Sequence, residues 1–212
     1  MKWCIGIPTL NRADLLEESV VDLRERCPSH EVIVVDNGQQ HLRERSVFHN
    51  VFVIENDRNL GVAAAWNQLA RAAFGERSCD AVLILNDDIV LGRDERAIDQ
   101  LVAEFAASPR VIVSARGWSS FLLPRAVFDE NGDFDEQFYP AYWEDTDYKV
   151  RCFQAGKPPV IRHELSPLVY RESQTTGKAE REKMSRENAE RFRVKWAGDE
   201  HLALLLAAGE EL

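Results

Sequence analysis

Cysteine is sparse in this sequence, and Cys4, Cys27, Cys79 and Cys152 stand far apart with no Cys-x-x-Cys pair among them. That spacing leaves four unpaired thiols in a reducing cytosol as the simplest account. Basic residues are in short supply too: 26 Lys and Arg face 36 Asp and Glu, for a formal net charge of -10. Binding a phosphate backbone needs clustered Lys and Arg, so a nucleic-acid acceptor is disfavoured. Long apolar runs are missing, and Leu202 to Ala208 falls far short of the roughly 20 residues of a spanning helix. The N-terminus enters a strand-like run without the charged and apolar regions of a signal peptide, so the expected location is cytoplasmic. There is no internal repeat and no low-complexity linker. The 212 residues, 45% hydrophobic and 29% charged, are therefore expected to form one domain with a sizeable core of its own.

What the sequence does have is an apolar run that stops on two carboxylates: Ala81-Val82-Leu83-Ile84-Leu85-Asn86-Asp87-Asp88. Five consecutive apolar residues suit a central strand covered on both faces. Asp87 and Asp88 would be expensive to bury unpaired, so they should face water or hold a cation. Taken alone, Asn-Asp-Asp also reads as a solvated turn, because Asn and Asp favour turns. In open α/β sheets, ligands bind in the crevice outside the carboxyl ends of the strands.

The flanking segments repeat this logic. Lys2 to Ile7 reads as a strand, broken at Pro8-Thr9 before a helix that runs to about Arg26 on Leu15, Leu16, Val20 and Leu23. Glu31 to Val35 is a second strand ending on Asp36-Asn37-Gly38, and Val51 to Glu55 a third, followed by Asn59-Leu60-Gly61. An alanine-rich helix takes Val62 to Phe74, another about Arg93 to Ala107, and Val111 to Ala115 is one more apolar run. Strands alternating with helices call for a mostly parallel α/β sheet flanked by helices. From Gly117 onward aromatics become dense, and Glu144-Asp145-Thr146-Asp147 leads into a helix ending near Gly156. Acids at that position suit the positive end of a helix dipole. Pro158-Pro159 begins an extended piece to Tyr170, Ser173 to Gly177 reads as a mobile loop, Lys178 to Trp196 as a charged helix, and Asp199 to Leu212 as a short final one.

In this order the segments resemble family 2 glycosyltransferases of the GT-A fold, over about residues 3 to 165. The pieces that carry the resemblance are Gly6-Ile7-Pro8-Thr9-Leu10-Asn11-Arg12, Val34-Val35-Asp36-Asn37-Gly38, Asn59-Leu60-Gly61-Val62-Ala63 with Asn67, Leu85-Asn86-Asp87-Asp88, Gly132-Asp133-Phe134-Asp135-Glu136 and Glu144-Asp145-Thr146-Asp147. The resemblance implies a nucleotide-binding half, residues 1–115, an acceptor and catalytic half, 116–172, and a loop with C-terminal helices, 173–212. It places Pro8, Thr9, Asn11 and Arg12 by the nucleotide, with Asp36 and Asn37 accepting hydrogen bonds from base or ribose. Asn59 and Gly61 fall beside the diphosphate, and Asn67 is counted among the nucleotide-sugar-binding residues. Asn86-Asp87-Asp88 matches the family's Asp-x-Asp element with Asn in the first place, which assigns Asp88 to the cation and Asp87 to the ribose or a metal-bound water. Oxygen ligands of this kind suit Mn2+ or Mg2+. Glu144-Asp145 matches the family's later acidic pair, with Asp145 as general base for an inverting transfer; capping of the helix by these acids is the alternative. A histidine completes the metal site in some relatives, and His163 is the best placed of the five. Trp118 and Trp143 could floor a sugar ring, though aromatics at this density also build cores.

The resulting expectation is an inverting, metal-dependent transferase that moves a sugar from a nucleoside-diphosphate donor to a saccharide, protein or small-molecule acceptor, with rhamnosyltransferase-like relatives. A sugar-phosphate nucleotidyltransferase would call for a Gly-rich, basic first loop, which Pro8-Thr9-Leu10-Asn11 is not. A glycosidase using Asp88 and Asp145 leaves the nucleotide-like segments unexplained. A catalytically silent binding protein on the same fold has Asn86 as its only hint. The charged helix from Lys178 to Trp196 is open to dimerisation, acceptor docking or membrane-surface contact.

Overall fold

The run Ala81–Leu85 forms a strand whose five residues are all buried, and every other strand of the main sheet is placed by reference to it. A computed structural model of the chain describes residues 2–91, 103, 107, 110–115, 118–158, 160–162, 168–171 and 176–199. The first half holds β1 (Trp3–Thr9), α1 (Ala13–Arg26), β2 (Val32–Asp36), β3 (Phe52–Glu55), α2 (Val62–Arg71), β4 (Ala81–Leu85) and β5 (Ile89–Leu91). The second holds β6 (Val113–Ala115), β7 (Ser120–Pro124), α3 (Arg125–Asn131), α4 (Glu144–Gln154), β8 (Val160–Arg162), β9 (Leu168–Tyr170) and α5 (Lys178–Lys195).

Seven strands lie in the order β3-β2-β1-β4-β7-β6-β8, and β5 and β9 form a separate two-stranded ribbon. β1 through β4 are mutually parallel, with α1 crossing over from β1 to β2, α2 from β3 to β4, and a longer connection with short 3-10 turns from β2 to β3. Alternate residues of these strands face two different layers. Ile5, Ile7, Val34, Leu83 and Leu85 pack on Leu16, Val20 and Leu23 of α1. Cys4, Ile33, Val35, Val82 and Ile84 pack on the alanines, Trp66 and Leu69 of α2. Burying one such Leu, Ile or Val side chain contributes about 1.5–3 kcal/mol.

The sheet is mostly parallel, as expected, with one exception. β7 runs antiparallel to both β4 and β6, so the sheet reverses direction next to its central strand. Phe121, Leu122 and Leu123 of β7 are fully buried, and Pro124 closes the strand where α3 begins. The reversal brings residues 118–119, which precede β7, to the same edge of the sheet as the carboxyl end of β4, and Asn86 N–H donates to Ser119 O at 3.0 Å. α2 ends at Arg71 and continues as a π turn, Ala72–Glu76. The helix expected over about 93–107 and the final one over 199–212 lie almost wholly outside the described residues.

Candidate functional site

The carboxyl ends of β1, β2 and β4 meet at one edge of the sheet and carry Thr9, Asp36 and Leu85 as their last residues. The turn after β4 is closed by Ile89 N–H donating to Asn86 O at 3.2 Å, so Asn86-Asp87-Asp88 is both a turn and part of this edge. Asp87 is drawn inward: its Oδ2 accepts from Thr9 Oγ1 at 2.8 Å, and its carbonyl from Ser19 Oγ at 3.1 Å. Burial raises its pKa to about 6, the Thr9 hydroxyl acts in the opposite direction, and the charge of Asp88 adds to the rise. Asp88 turns its carbonyl to Arg171 N–H, at 2.8 Å, which ties the start of the β5–β9 ribbon to the same edge.

The loop after β2 is held by amides. Asn37 donates to Gly61 O at 3.1 Å while its Oδ1 accepts from Asn56 at 2.7 Å, and Asn56 exchanges hydrogen bonds with Gln68 of α2 at 2.9 Å. Asp36 is fully buried, and its carboxylate accepts from Gly38 N, Gln40 N and Gln40 Nε2 at 2.7, 2.7 and 2.9 Å. A Cβ at Gly38 would stand 2.7 Å from both the backbone nitrogen and the side-chain oxygen of Asn11, so the first two loops pack closely only because that position is glycine. Gly61 has φ 90 and ψ 170, a backbone region open essentially to glycine alone.

Between these loops lies a cleft of about 390 Å³. Its lining brings together Pro8, Thr9, Asn11, Asn37, Asn59, Gly61, Asn86 and Asp87 from the expected nucleotide segments. The remaining expected residues stand elsewhere. Arg12 is paired with Asp14 at 3.0 Å, although the charges of Asp87 and Asp88 still act on it. Asp36 is satisfied within its own loop. Asn67 is fully buried and latches Phe134: its amide donates to Phe134 O and to Glu136 Oε1, both at 2.9 Å, and accepts from Phe134 N at 2.8 Å. Trp118 is only 8% exposed and packs edge-on against Phe121, Phe134 and Tyr148, so its ring belongs to the core and not to an open sugar face. Trp143 is half-buried on Phe192, with ring centroids 5.1 Å apart. His163 lies outside the described residues.

The acidic pair opens α4. Glu144, Asp145 and Asp147 occupy its first turn, where the helix dipole favours negative charge. Glu144 is buried and its Oε2 has no hydrogen-bond partner among the described residues; burial and the neighbouring charge of Asp145 push its carboxyl well above the usual range. Asp145 accepts from Thr146 N at 2.8 Å, and burial raises its pKa despite that bond. Pro140, Ala141 and Tyr142, which form the opposite wall of the cleft, are separated from the pair by Trp143 alone.

The sequence reading missed the third wall. Thr176, Glu180 and Met184 reach the cleft from the start of α5 and the residues just before it. The only signal for this was a stripe at helical spacing, Ser185, Asn188, Ala189, Phe192 and Trp196, within an otherwise charged segment.

Among the described residues, no group of three or more His, Cys, Asp or Glu could hold a metal ion by itself. A pair of carboxylates on one turn still fits Mg2+ or Mn2+, which keep several waters and are usually held by one or two carboxylates together with substrate phosphates.

The sequence matches the model of glycosyl transferase family 2 over residues 4–151. The chain belongs to that family. No curated protein matches it significantly. Its fold is the GT-A fold of solved glycosyltransferases. Glucosyl-3-phosphoglycerate synthase from Mycobacterium tuberculosis, solved with Mn2+, UDP and phosphoglyceric acid, superposes with a TM-score of 0.68 at 17% identity, covering 92% of this chain and 78% of that one. TarS 1-349 from S. aureus superposes at 0.57 and 15% identity over 77% of this chain and 58% of TarS, so the family 2 chain spans little more than half of that relative. The catalytic domain of Drosophila beta1,4galactosyltransferase 7, solved with xylobiose, gives 0.58 at 14% identity, covering 86% and 79%.

Proposed function

We propose that this family 2 protein is an inverting, metal-dependent glycosyltransferase that moves a hexosyl or deoxyhexosyl group from a nucleoside-diphosphate sugar to an acceptor hydroxyl. The observation that carries the reading is the cleft at the carboxyl edge of the sheet, where Thr9, Asn11, Asn37, Asn59, Gly61, Asn86 and Asp87 line one continuous surface. Solved structures of the same fold, crystallised with UDP and Mn2+ or Mg2+, support a uridine diphosphate donor. Asp88 would hold the cation, which when bound supplies Lewis-acid stabilisation of the diphosphate. Thr9 fixes the Asp87 carboxylate at the floor of the cleft.

Asp145 serves as the base. It takes the proton of the acceptor hydroxyl while that oxygen bonds to the anomeric carbon, and the bond from that carbon to the diphosphate oxygen breaks as the nucleoside diphosphate leaves. Burial and the neighbouring Asp145 raise the Glu144 carboxyl, and burial raises that of Asp145 as well. Both the rate and the direction of transfer then depend on how Asp145 is aimed.

The test is a panel of nucleotide sugars with Mn2+ or Mg2+, following nucleoside diphosphate release with candidate saccharide and phosphorylated small-molecule acceptors. Turnover with at least one donor is expected, and turnover with none overturns the reading. Asp145→Asn should lower kcat by about 10²–10⁴ with donor affinity retained. Normal transfer by that variant would remove Asp145 from the role.

A further inference from the structure

The wall that carries the base is itself held by α5. Tyr142 and Trp143, the two residues before Glu144, both have φ of 78, a left-handed conformation that side chains larger than glycine rarely adopt. Such conformations persist only where surrounding contacts over-determine them. Here one side chain of α5 supplies several of those contacts. Asn188 is fully buried, and its Nδ2 lies 3.3, 2.8 and 3.1 Å from the carbonyl oxygens of Tyr139, Ala141 and Tyr142. An amide nitrogen carries two hydrogens, so one of them is shared, and three carbonyls of the loop converge on a single donor group. Arg191 Nη1 donates to Asn188 Oδ1 and fixes which way the amide points.

The same helix grips the catalytic segment further on. Trp143 packs on Phe192 and donates through Nε1 to Ser185 Oγ at 3.4 Å. Past the end of α5, Trp196 Nε1 donates to Asp147 Oδ1 at 2.9 Å, and Lys195 Nζ lies 2.6 Å from the same oxygen. Asp147 is fully buried in the first turn of α4, beside Asp145. From the opposite side, Val62 N–H donates to Pro140 O at 2.9 Å. The loop is thus clamped between the start of α2 and the face of α5.

We infer that Asn188 is a positioning residue: through it, α5 holds the segment Tyr139–Trp143, with its left-handed Tyr142 and Trp143, in the one arrangement that aims Asp145 at the acceptor. The inference rests on the reading of Asp145 as the base. It assigns a catalytic purpose to a helix that lies beyond residues 4–151, the part of the chain matched by the family model.

The test uses the full chain with Asn188→Ala, and Val194→Ala, an exposed position on the same helix, as control. Amide exchange followed by mass spectrometry reads the clamp directly: protection over residues 139–147 should fall in Asn188→Ala and stay unchanged in the control. Steady-state kinetics reads the aim: kcat should fall about tenfold to a hundredfold with the donor KM within about twofold of the parent, as for a misplaced reacting group. A third readout separates aim from loss of folded protein. Burial raises the Asp145 carboxyl while the Thr146 hydrogen bonds and the charge of Lys149 act against it; loosening the loop hydrates Asp145, so the acid limb of the kcat profile should move to lower pH. If Asn188→Ala does not fold, Trp196→Phe removes one hydrogen bond to Asp147 while keeping the ring, and the same three readouts apply.

Unchanged exchange over 139–147, or unchanged kcat and pH profile, overturns the inference. If Asp145→Asn turns over normally, the base assignment fails and takes the positioning role with it. If Asp145→Asn is dead while Asn188→Ala is normal, only the role of α5 fails. Turnover of no sugar nucleotide by the parent chain overturns the functional reading, and the positioning role falls with it.

Discussion

Asn67 shows how one side chain can satisfy a sequence motif without touching a ligand. Its position after Asn59-Leu60-Gly61 placed it among the nucleotide-sugar-binding residues by resemblance, but its amide is spent on both backbone groups of Phe134 and on Glu136. Phe134 stacks on Tyr148 with ring centroids 4.0 Å apart and meets Trp66 edge-on, so the latch joins α2 to the aromatic core of the second half. Asn67→Ala leaves Phe134 N–H and C=O buried without their partner, and an orphaned buried group costs about 1–3 kcal/mol. The expected outcome is a lower urea midpoint at unchanged m-value, with the affinity for a nucleoside diphosphate unchanged in the folded protein. A variant of parental stability that has lost nucleotide affinity would return Asn67 to the binding site.

At the scale of elements, the parallel strands were legible because each is a short apolar run that ends on a polar turn, and period and composition agree. β7 and α3 were not. Phe121, Leu122 and Leu123 sit among dense aromatics with no alternation to mark a strand, and the antiparallel direction of β7 is set by its pairing with β4, which no local pattern encodes. The docking of α5 was hidden for a related reason: its buried stripe is small and mixed, and what it packs against is some fifty residues away in sequence, as with Asn188 and Tyr139. Part of that docking is electrostatic. Lys195 Nζ lies 2.8 Å from Asp135 Oδ2. Burial alone would raise the Asp135 carboxyl, but the Lys195 hydrogen bond, the Gln137 N–H and the charges of Lys195 and Arg151 together hold it below the usual range. A carboxyl lowered on folding stabilises the native state above its ordinary pKa, and that contribution is lost as pH falls through the ordinary and then the folded value. Thermal unfolding from neutral to acid pH should therefore show a steeper fall in Tm for the parent than for Asp135→Asn. The difference at neutral pH should correspond to less than about 1 kcal/mol, as for a partly exposed pair. Parallel curves for the two proteins would show that the pair contributes nothing to holding α5.

Across the whole molecule, six short motifs were enough to name the fold because GT-A strands end where the chemistry is, and a motif at a strand end needs no tertiary information to be placed. The shape of the cleft did need it. One wall comes from β1, β2 and β4, one from residues 140–142 and one from 176–184, and only folding brings the three together. That construction has a thermodynamic consequence: a ligand that binds all three walls stabilises the whole domain and not one half of it. At a nucleoside diphosphate concentration about 100-fold above Kd, the gain is about 2.7 kcal/mol. For a chain of this size that corresponds to a rise in Tm of roughly 5–10 °C. With Mn2+ present the rise should exceed that seen with the nucleotide alone if, as proposed, Asp88 holds the cation. Asp88→Asn should keep the rise caused by nucleotide and lose the increment caused by Mn2+, each variant being compared with its own ligand-free Tm. Survival of the Mn2+ increment in Asp88→Asn would show that the cation is held elsewhere. Loss of the nucleotide rise as well would show that Asp88 contacts the nucleotide directly, because a residue acting only through the metal cannot affect binding measured without it.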